Sequence, residues 1–385
     1  MLEMAHSPAY ERIEAAVKLE KLPDRVPFVP LLDMFACRYA GVSQHDLFFS
    51  VRKADQAVQK TLDDMGRIDG FSLSYAGLAS LLRLMAPAPP VIPGLNGVPE
   101  NATWQFVEVS IMGPNEYRQI GERGAIRWIL DKSRESRPEL NTLPGLAKVG
   151  VGAAYDVLRV LKSVRTWRLK GVEPLVGINI SFTPMEYIAI MLRSFNEFML
   201  DLYRYPEDLK EASKALTPMW RMLGLALVAA TGVRRVFLGG ARTCSGVIGP
   251  KQFEELALPE WRGMSEFFIK FGITPLLHLD GDWTDFLPYF KDFPRGKCIL
   301  NLDGATDIFK AKEILGDHMC IMGDVPATLL KLGEPDEVDD YCKHLINEVG
   351  EGGGFILGTG CALPIDARPE NVAAMFAAAQ RYGKY

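Results

Sequence analysis

The chain has 385 residues, 48% of them hydrophobic and 24% charged, with a formal net charge of −5. That balance suits a soluble globular enzyme with a large core, and the lack of any basic block sets nucleic-acid binding aside. No apolar run approaches the ~18–20 residues that span a bilayer; the longest candidate, Met219 to Val233, is interrupted by Arg221 and Gly224.

Met1 to Arg12 is polar and shows no secretory pattern. The six cysteines, Cys37, Cys244, Cys298, Cys320, Cys342 and Cys361, form no C-x-x-C pair. They are expected to stay reduced in the cytoplasm, most of them as small buried hydrophobes. Cys298 and Cys320 lie inside apolar runs and fit that role. Cys361 fits it worst, because it follows Gly-Thr-Gly at the end of a run.

In chain order, eight short apolar runs read as buried strands: Val26–Leu32, Ile68–Leu73, Leu175–Ile180, Arg235–Leu238, Thr274–Leu279, Cys298–Leu302, Met319–Met322 and Gly354–Leu357. Helical patterns lie between most of them. Pro250 to Phe271 opens on Pro, carries Phe253, Leu256, Trp261, Met264, Phe267 and Phe268 at helical spacing, and stops before Gly272. Asp307 to Leu315 and Pro335 to Val349 are two more. This alternation predicts an α/β protein with a parallel sheet. Eight units over this length favour one (β/α)8 TIM barrel spanning 1–385 over an open doubly wound sheet. No Gly-rich dinucleotide loop follows the first run, which also counts against the open sheet.

The second and third runs stand about a hundred residues apart. Between them, Pro87 to Pro99 is rich in Pro and Gly, Trp104 to Met112 alternates like a hairpin strand, and Ala125 to Ser133 and Val149 to Leu169 look helical. The span 80–170 is therefore expected to be an insertion that caps the barrel mouth.

Polar residues end most of the runs. The first gives Asp33, the third carries Asn179, and the fourth leads to Arg242. The fifth gives His278, Asp280 and Asp282, the sixth Asp303, the seventh Asp324 and the eighth Cys361. In a parallel barrel these ends converge on one face, where catalytic groups gather. Asp303 and Asp324 could equally cap the helices that follow them. His278 and Asp280 are two apart on a strand, so their side chains point the same way. With Cys361 they form a legitimate three-ligand set for a catalytic zinc. The same His and Asp could instead work as an acid/base pair without metal. No G-x-S-x-G elbow supports a serine hydrolase.

At these residues the chain resembles the uroporphyrinogen decarboxylase superfamily, in its corrinoid-dependent methyltransferase branch. The likeness rests on Gly249 to Pro259, the His278-Leu-Asp-Gly281 element, Gly323-Asp-Val-Pro326 with Gly333-Glu-Pro-Asp-Glu-Val338, and Gly354 to Cys361 followed by Pro364 and Pro369-Glu-Asn-Val372. Arg25-Val-Pro27 and Tyr39-Ala-Gly41 fit more loosely. The Arg-rich signature with which the decarboxylases bind porphyrin carboxylates is missing from Pro30 to Arg38.

The resemblance implies a zinc held by His278, Asp280 and Cys361. Asp280 stands where thiol-methylating relatives carry Cys. A harder oxygen ligand leaves the metal more Lewis-acidic, which suits an ether oxygen better than a thiol. The implied activity is O-demethylation of a methoxylated small-molecule methyl donor of the aryl methyl ether kind, with the methyl passing to the Co(I) corrinoid of a separate corrinoid protein. Asp33, Asn179, Arg242, Asp303 and Asp324 are the expected substrate-binding residues, and Phe35, Tyr75 and Trp104 the expected aromatic wall. The chain lacks a D-x-H-x-x-G cobalamin anchor, since Asp317 and His318 are adjacent, so the corrinoid is expected on a partner. Methyl transfer to a thiol or to tetrahydrofolate, a zinc-free decarboxylase and a non-enzymatic scaffold are the alternatives. Room is left for a homodimer.

Overall fold

The computed structural model describes residues 7–71, 76–88, 90–179 and 181–385. Five strands form one parallel sheet in chain order: β3 (Arg235–Gly240), β4 (Thr274–Leu279), β5 (Ile299–Leu302), β6 (Cys320–Val325) and β7 (Phe355–Thr359). Two short parallel strands, β1 (Gly70–Phe71) and β2 (Glu173–Pro174), pair separately. The expected α/β class and parallel pairing are therefore present, and the last five expected strands sit within a few residues of their sequence positions.

The first expected strand, Val26–Leu32, takes part only through isolated bonds. Val29 donates to Leu357 and Leu357 to Pro27, while Asp69 donates to Phe28. Pro27 and Pro30 supply no backbone N–H, so a continuous ladder cannot form there. The third expected strand, Leu175–Ile180, forms no strand over its described residues; β2 ends just before it at Pro174, and just after it the parallel bridge Phe182↔Gly239 links to β3. Leu73 and Ile180, at the ends of the second and third expected strands, lie outside the described residues.

Strand alternation separates two layers inside the sheet. Leu276, Ile299, Cys320, Met322 and Ile356 point to one side and pack with Ile13, Ala16 and Val17 of helix Pro8–Lys18 into a fully apolar cluster. Its Val, Leu, Ile and Met side chains each contribute about 1.5–3 kcal/mol on burial. Two residues further along, on the same faces, stand His278 above Leu276 and Asn301 above Ile299. The apolar layer thus lies below the polar C-terminal ends of the strands, and the buried Arg235 at the start of β3 pairs with Glu14 and Glu173.

The helices follow local sequence signals. Pro335–His344 opens on a Glu334/Glu337 capping box, and Asp307 caps Ile308–Leu315 through the amides of Phe309 and Lys310. The helix expected at Pro250–Phe271 is present through Lys270, with a π turn at Phe253–Ala257. The stretch 80–170 contains the helices Tyr117–Arg123, Ala125–Ser136 and Leu143–Leu169. The hairpin strand expected at Trp104–Met112 is absent. Only the bridge Val91↔Gln105 forms, and the rest of the stretch is irregular. Its alternation reflects side chains facing a cavity rather than a ladder.

Candidate metal centre and its cavity

His278 is buried, and register places it directly beside Asn301 on β5. Its Nδ1 lies 2.6 Å from the Asn301 Oδ1. The Asn301 Nδ2 donates to the Met322 carbonyl at 3.3 Å, which turns the amide oxygen toward the imidazole. In the neutral ring an acceptor at Nδ1 keeps the proton there, so Nε2 is the nitrogen that a metal would take. Phe237 packs against the ring, with centroids 5.2 Å apart.

Asp280 sits just past the end of β4. Its backbone N–H donates to the Gly240 carbonyl at 2.8 Å, and its Oδ1 stands 3.2 Å from the His278 Nε2. The turn that carries it is pinned from the loop after β5: Asp303 accepts the Gly281 N–H at 2.7 Å, and the Thr306 hydroxyl donates to the Gly281 carbonyl at 3.0 Å. Gly281 has φ of 86°, a conformation open to glycine at little cost. Cys361 Sγ lies 3.7 Å from the His278 Nε2. It follows Gly360, where a Cβ would stand 2.4 Å from the Asp303 carbonyl oxygen, so only glycine lets the chain pass this close.

One donor atom from each of His278, Asp280 and Cys361 lies within 4.8 Å of the other two. Ligands around a tetrahedral zinc stand roughly 3.3–3.8 Å apart, given bonds of about 2.0–2.3 Å. The donor types, an imidazole nitrogen, a carboxylate oxygen and a sulfur, fit that ion. Burial disfavours the imidazolium, but Asp280 and Cys361 outweigh it and hold His278 well above its ordinary value. Burial pushes Asp280 up as well, and the neighbouring His278 more than reverses this.

The three groups open into a cavity of about 300 Å³. Among the described residues, its wall is aromatic and aliphatic, with Trp104, Phe106, Phe182, Phe237, Leu82 and Ile190, and its polar members are Asn179, Arg242 and Glu108. Trp104 and Phe106 meet edge to face at 4.7 Å, and Phe106 and Phe182 at 6.1 Å. Arg242 forms an ion pair with Glu108 across the opening. The turn carrying Arg242 hangs on the fully buried Glu186, whose carboxylate accepts from the amides of Ala241, Arg242 and Thr243 and from the Thr243 hydroxyl. Burial pushes the Glu186 carboxyl up, and these bonds oppose the shift.

Of the substrate-binding residues expected from sequence, Asn179 and Arg242 line the cavity and the other three do not. Asp33 is fully buried in the first turn of helix Asp33–Tyr39. Asp303 holds the Gly281 and Ala305 amides. Asp324 is buried against the Tyr341 hydroxyl at 2.8 Å. Of the expected aromatic wall, Trp104 is in place, Phe35 stacks on Tyr39 in the core, and Tyr75 lies outside the described residues. Asn301, Glu108 and Glu186 went unnoticed in the sequence. Only Asn301 left a signal there, as one amide inside an otherwise apolar run.

A model of the uroporphyrinogen decarboxylase (URO-D) family matches residues 132–382. The uroporphyrinogen decarboxylase of Syntrophotalea carbinolica is 25% identical over 228 residues, 57% of this chain and 63% of that protein, so the match spans less than two thirds of its length. That of Serratia proteamaculans is 22% identical over 263 residues, 65% of this chain and 70% of that protein. Among solved structures, a methyltransferase from Methanosarcina mazei superposes with a TM-score of 0.71 at 17% identity, covering 98% of this chain and 99% of that one. That likeness speaks for the fold. The family match covers well over half of the chain and includes β3 to β7 with all three donor residues: the protein belongs to the uroporphyrinogen decarboxylase family.

Proposed function

We propose that the protein is a zinc-dependent methyltransferase that takes the methyl group from a methoxylated aromatic substrate and passes it to the Co(I) corrinoid of a separate corrinoid protein. The observation that carries this reading is the convergence of His278, Asp280 and Cys361 at the floor of an aromatic-walled cavity. The full-length likeness to the Methanosarcina mazei methyltransferase supports it. We further propose that the eight segments close into a (β/α)8 barrel, with Val26–Leu32 between β7 and β1, and that 80–170 caps its mouth. The protein would act in the cytoplasm, where its thiols stay reduced.

The chain's own residues have definite tasks in this reading. His278, Asp280 and Cys361 would hold zinc, with Asn301 fixing the imidazole tautomer. Bound there, zinc supplies Lewis acidity toward the ether oxygen. Trp104, Phe106 and Phe182 offer faces and edges to an aryl ring and keep water from it. Asn179 and Arg242 orient the polar substituents. Asp303 keeps the Asp280 turn in place, and Asp324 stiffens the end of β6 from behind.

Decarboxylation is the second reading, favoured by the names of the curated relatives. A tetrapyrrole with many carboxylates needs several cations. Among the described residues, Arg242 is the one Arg or Lys lining the cavity, and it is already paired.

The test is zinc quantitation on purified protein together with a Co(I)-corrinoid absorbance assay over a panel of methoxyarenes. About one zinc per chain and methoxyarene-dependent loss of the Co(I) bands, in the presence of the corrinoid partner, are expected. Metal-free protein that releases CO2 from a carboxylated substrate would establish the decarboxylase instead.

A further inference from the structure

The ion pair at the cavity opening is anchored very unequally. On one side, Arg242 stands on a turn whose three successive amides are held by Glu186 at 2.9–3.1 Å, and whose Thr243 hydroxyl donates to the same carboxylate at 2.6 Å. The Trp261 indole donates to that hydroxyl at 3.2 Å and locks the turn from behind. Among the described residues, each hydrogen-bond partner of Glu186 is a donor, as suits a carboxylate acting as acceptor. The Arg242 guanidinium also lies over the Phe195 ring at 5.0 Å.

On the other side, Glu108 is 44% exposed. It belongs to an irregular stretch tied back at Gln105 to Val91 and at Ile111 to Leu192. Among the described residues, the backbone between those ties makes one bond, from Val109 to Val107. Glu108 engages only Nη2 of Arg242, and the Arg242 Nε is buried with no acceptor among the described residues. A carboxylate approaching side-on would satisfy both Nε and Nη2, as an arginine fork prefers. A cationic ligand would instead have to pull Glu108 away and leave the guanidinium half-buried and unpaired, which is costly.

We propose that the cavity selects an anionic methoxyarene whose negative group replaces Glu108 on Arg242, and that Glu186 is the positioning residue that keeps Arg242 aimed. This rests on the cavity being the substrate site. It deepens the proposed function by assigning charge to the substrate.

The test is calorimetric binding of 4-methoxybenzoate, anisole and 4-methoxybenzylammonium to the full chain, metal-free and zinc-loaded. 4-Methoxybenzoate should bind about tenfold more tightly than anisole, in keeping with a charge-assisted bidentate contact. Arg242→Gln should bring the two within about twofold, and Glu108→Gln should tighten 4-methoxybenzoate severalfold by removing its competitor. Glu186→Gln should shrink the preference while zinc content stays at the wild-type level. Thr243→Val, which removes a single hydrogen bond, should act in the same direction and keeps the test available if the first variant does not fold. Equal binding of acid and ether, tightest binding of the ammonium, or no binding of any probe overturns the proposal. An undiminished preference in Glu186→Gln and Thr243→Val overturns the part assigned to Glu186. If the protein takes up no zinc, the methyl-transfer reading fails, yet the charge preference stays measurable in the metal-free protein.

Discussion

His278 concentrates the chemistry of the site in one ring. Asn301 fixes its Nδ1, so Nε2 is the atom offered to a metal. In the metal-free protein, Asp280 and Cys361 hold the imidazolium well above its ordinary range, so a zinc ion must displace a proton to bind. Zinc affinity is therefore expected to fall as pH falls, with proton release on loading, as competition against a chromophoric chelator between pH 6 and 8 would show. His278→Ala should lose the metal outright. Asn301→Leu should fold and weaken zinc about 10–100-fold, the usual range for losing an outer-shell partner. An unchanged zinc affinity in Asn301→Leu would remove that residue from the site. The sequence made the three donors legible because each ends an apolar run, where a barrel collects its chemistry. Asn301 stayed hidden because its amide sits one turn of the pleat inside such a run, and its purpose shows only through register. Glu108 and Glu186 stayed hidden because neither belongs to a strand.

At the scale of elements, the strands are placed by close contacts that allow little bulk. A Cβ on Gly240 would stand 2.3 Å from the Trp261 ring, so Gly240→Ala is expected to destabilise the fold by about 1–3 kcal/mol, read by denaturant titration. β6 carries a different burden. Burial pushes the Asp324 carboxyl up to about 6, against the bond from Tyr341. Because the folded value exceeds the unfolded one, its favourable contribution is full below the ordinary carboxylate range and is lost as pH rises through about 6. Asp324→Asn should thus gain on the wild type between pH 5 and pH 8, by about 1.4 kcal/mol. Melting curves at the two pH values would show it, and a constant difference would contradict it. The elements that sequence located well, β3 to β7, are continuous apolar runs paired on both sides or nearly so. Those it located badly are Val26–Leu32, where two prolines interrupt the ladder, and Trp104–Met112, where alternation serves a cavity wall. Periodicity records which side chains are covered, and it does not record what covers them.

On the scale of the whole molecule, the apolar plug and the reactive end are two layers of one sheet. Ile13, Ala16 and Val17 close the first layer, and His278, Asp280 and Cys361 occupy the second. Stability and chemistry are therefore expected to separate most cleanly at Cys361: Cys361→Ser should change metal content and leave the melting temperature of the metal-free protein nearly unchanged. The proposed methyl transfer predicts turnover only when a corrinoid protein is added. The central claim is that three side chains share one zinc. Zinc-edge X-ray absorption of the loaded protein tests it most directly. The account predicts one zinc per chain with one sulfur at about 2.3 Å and the remaining ligands nitrogen and oxygen at about 2.0–2.2 Å. A shell without sulfur, or one unchanged by Cys361→Ser, would contradict it.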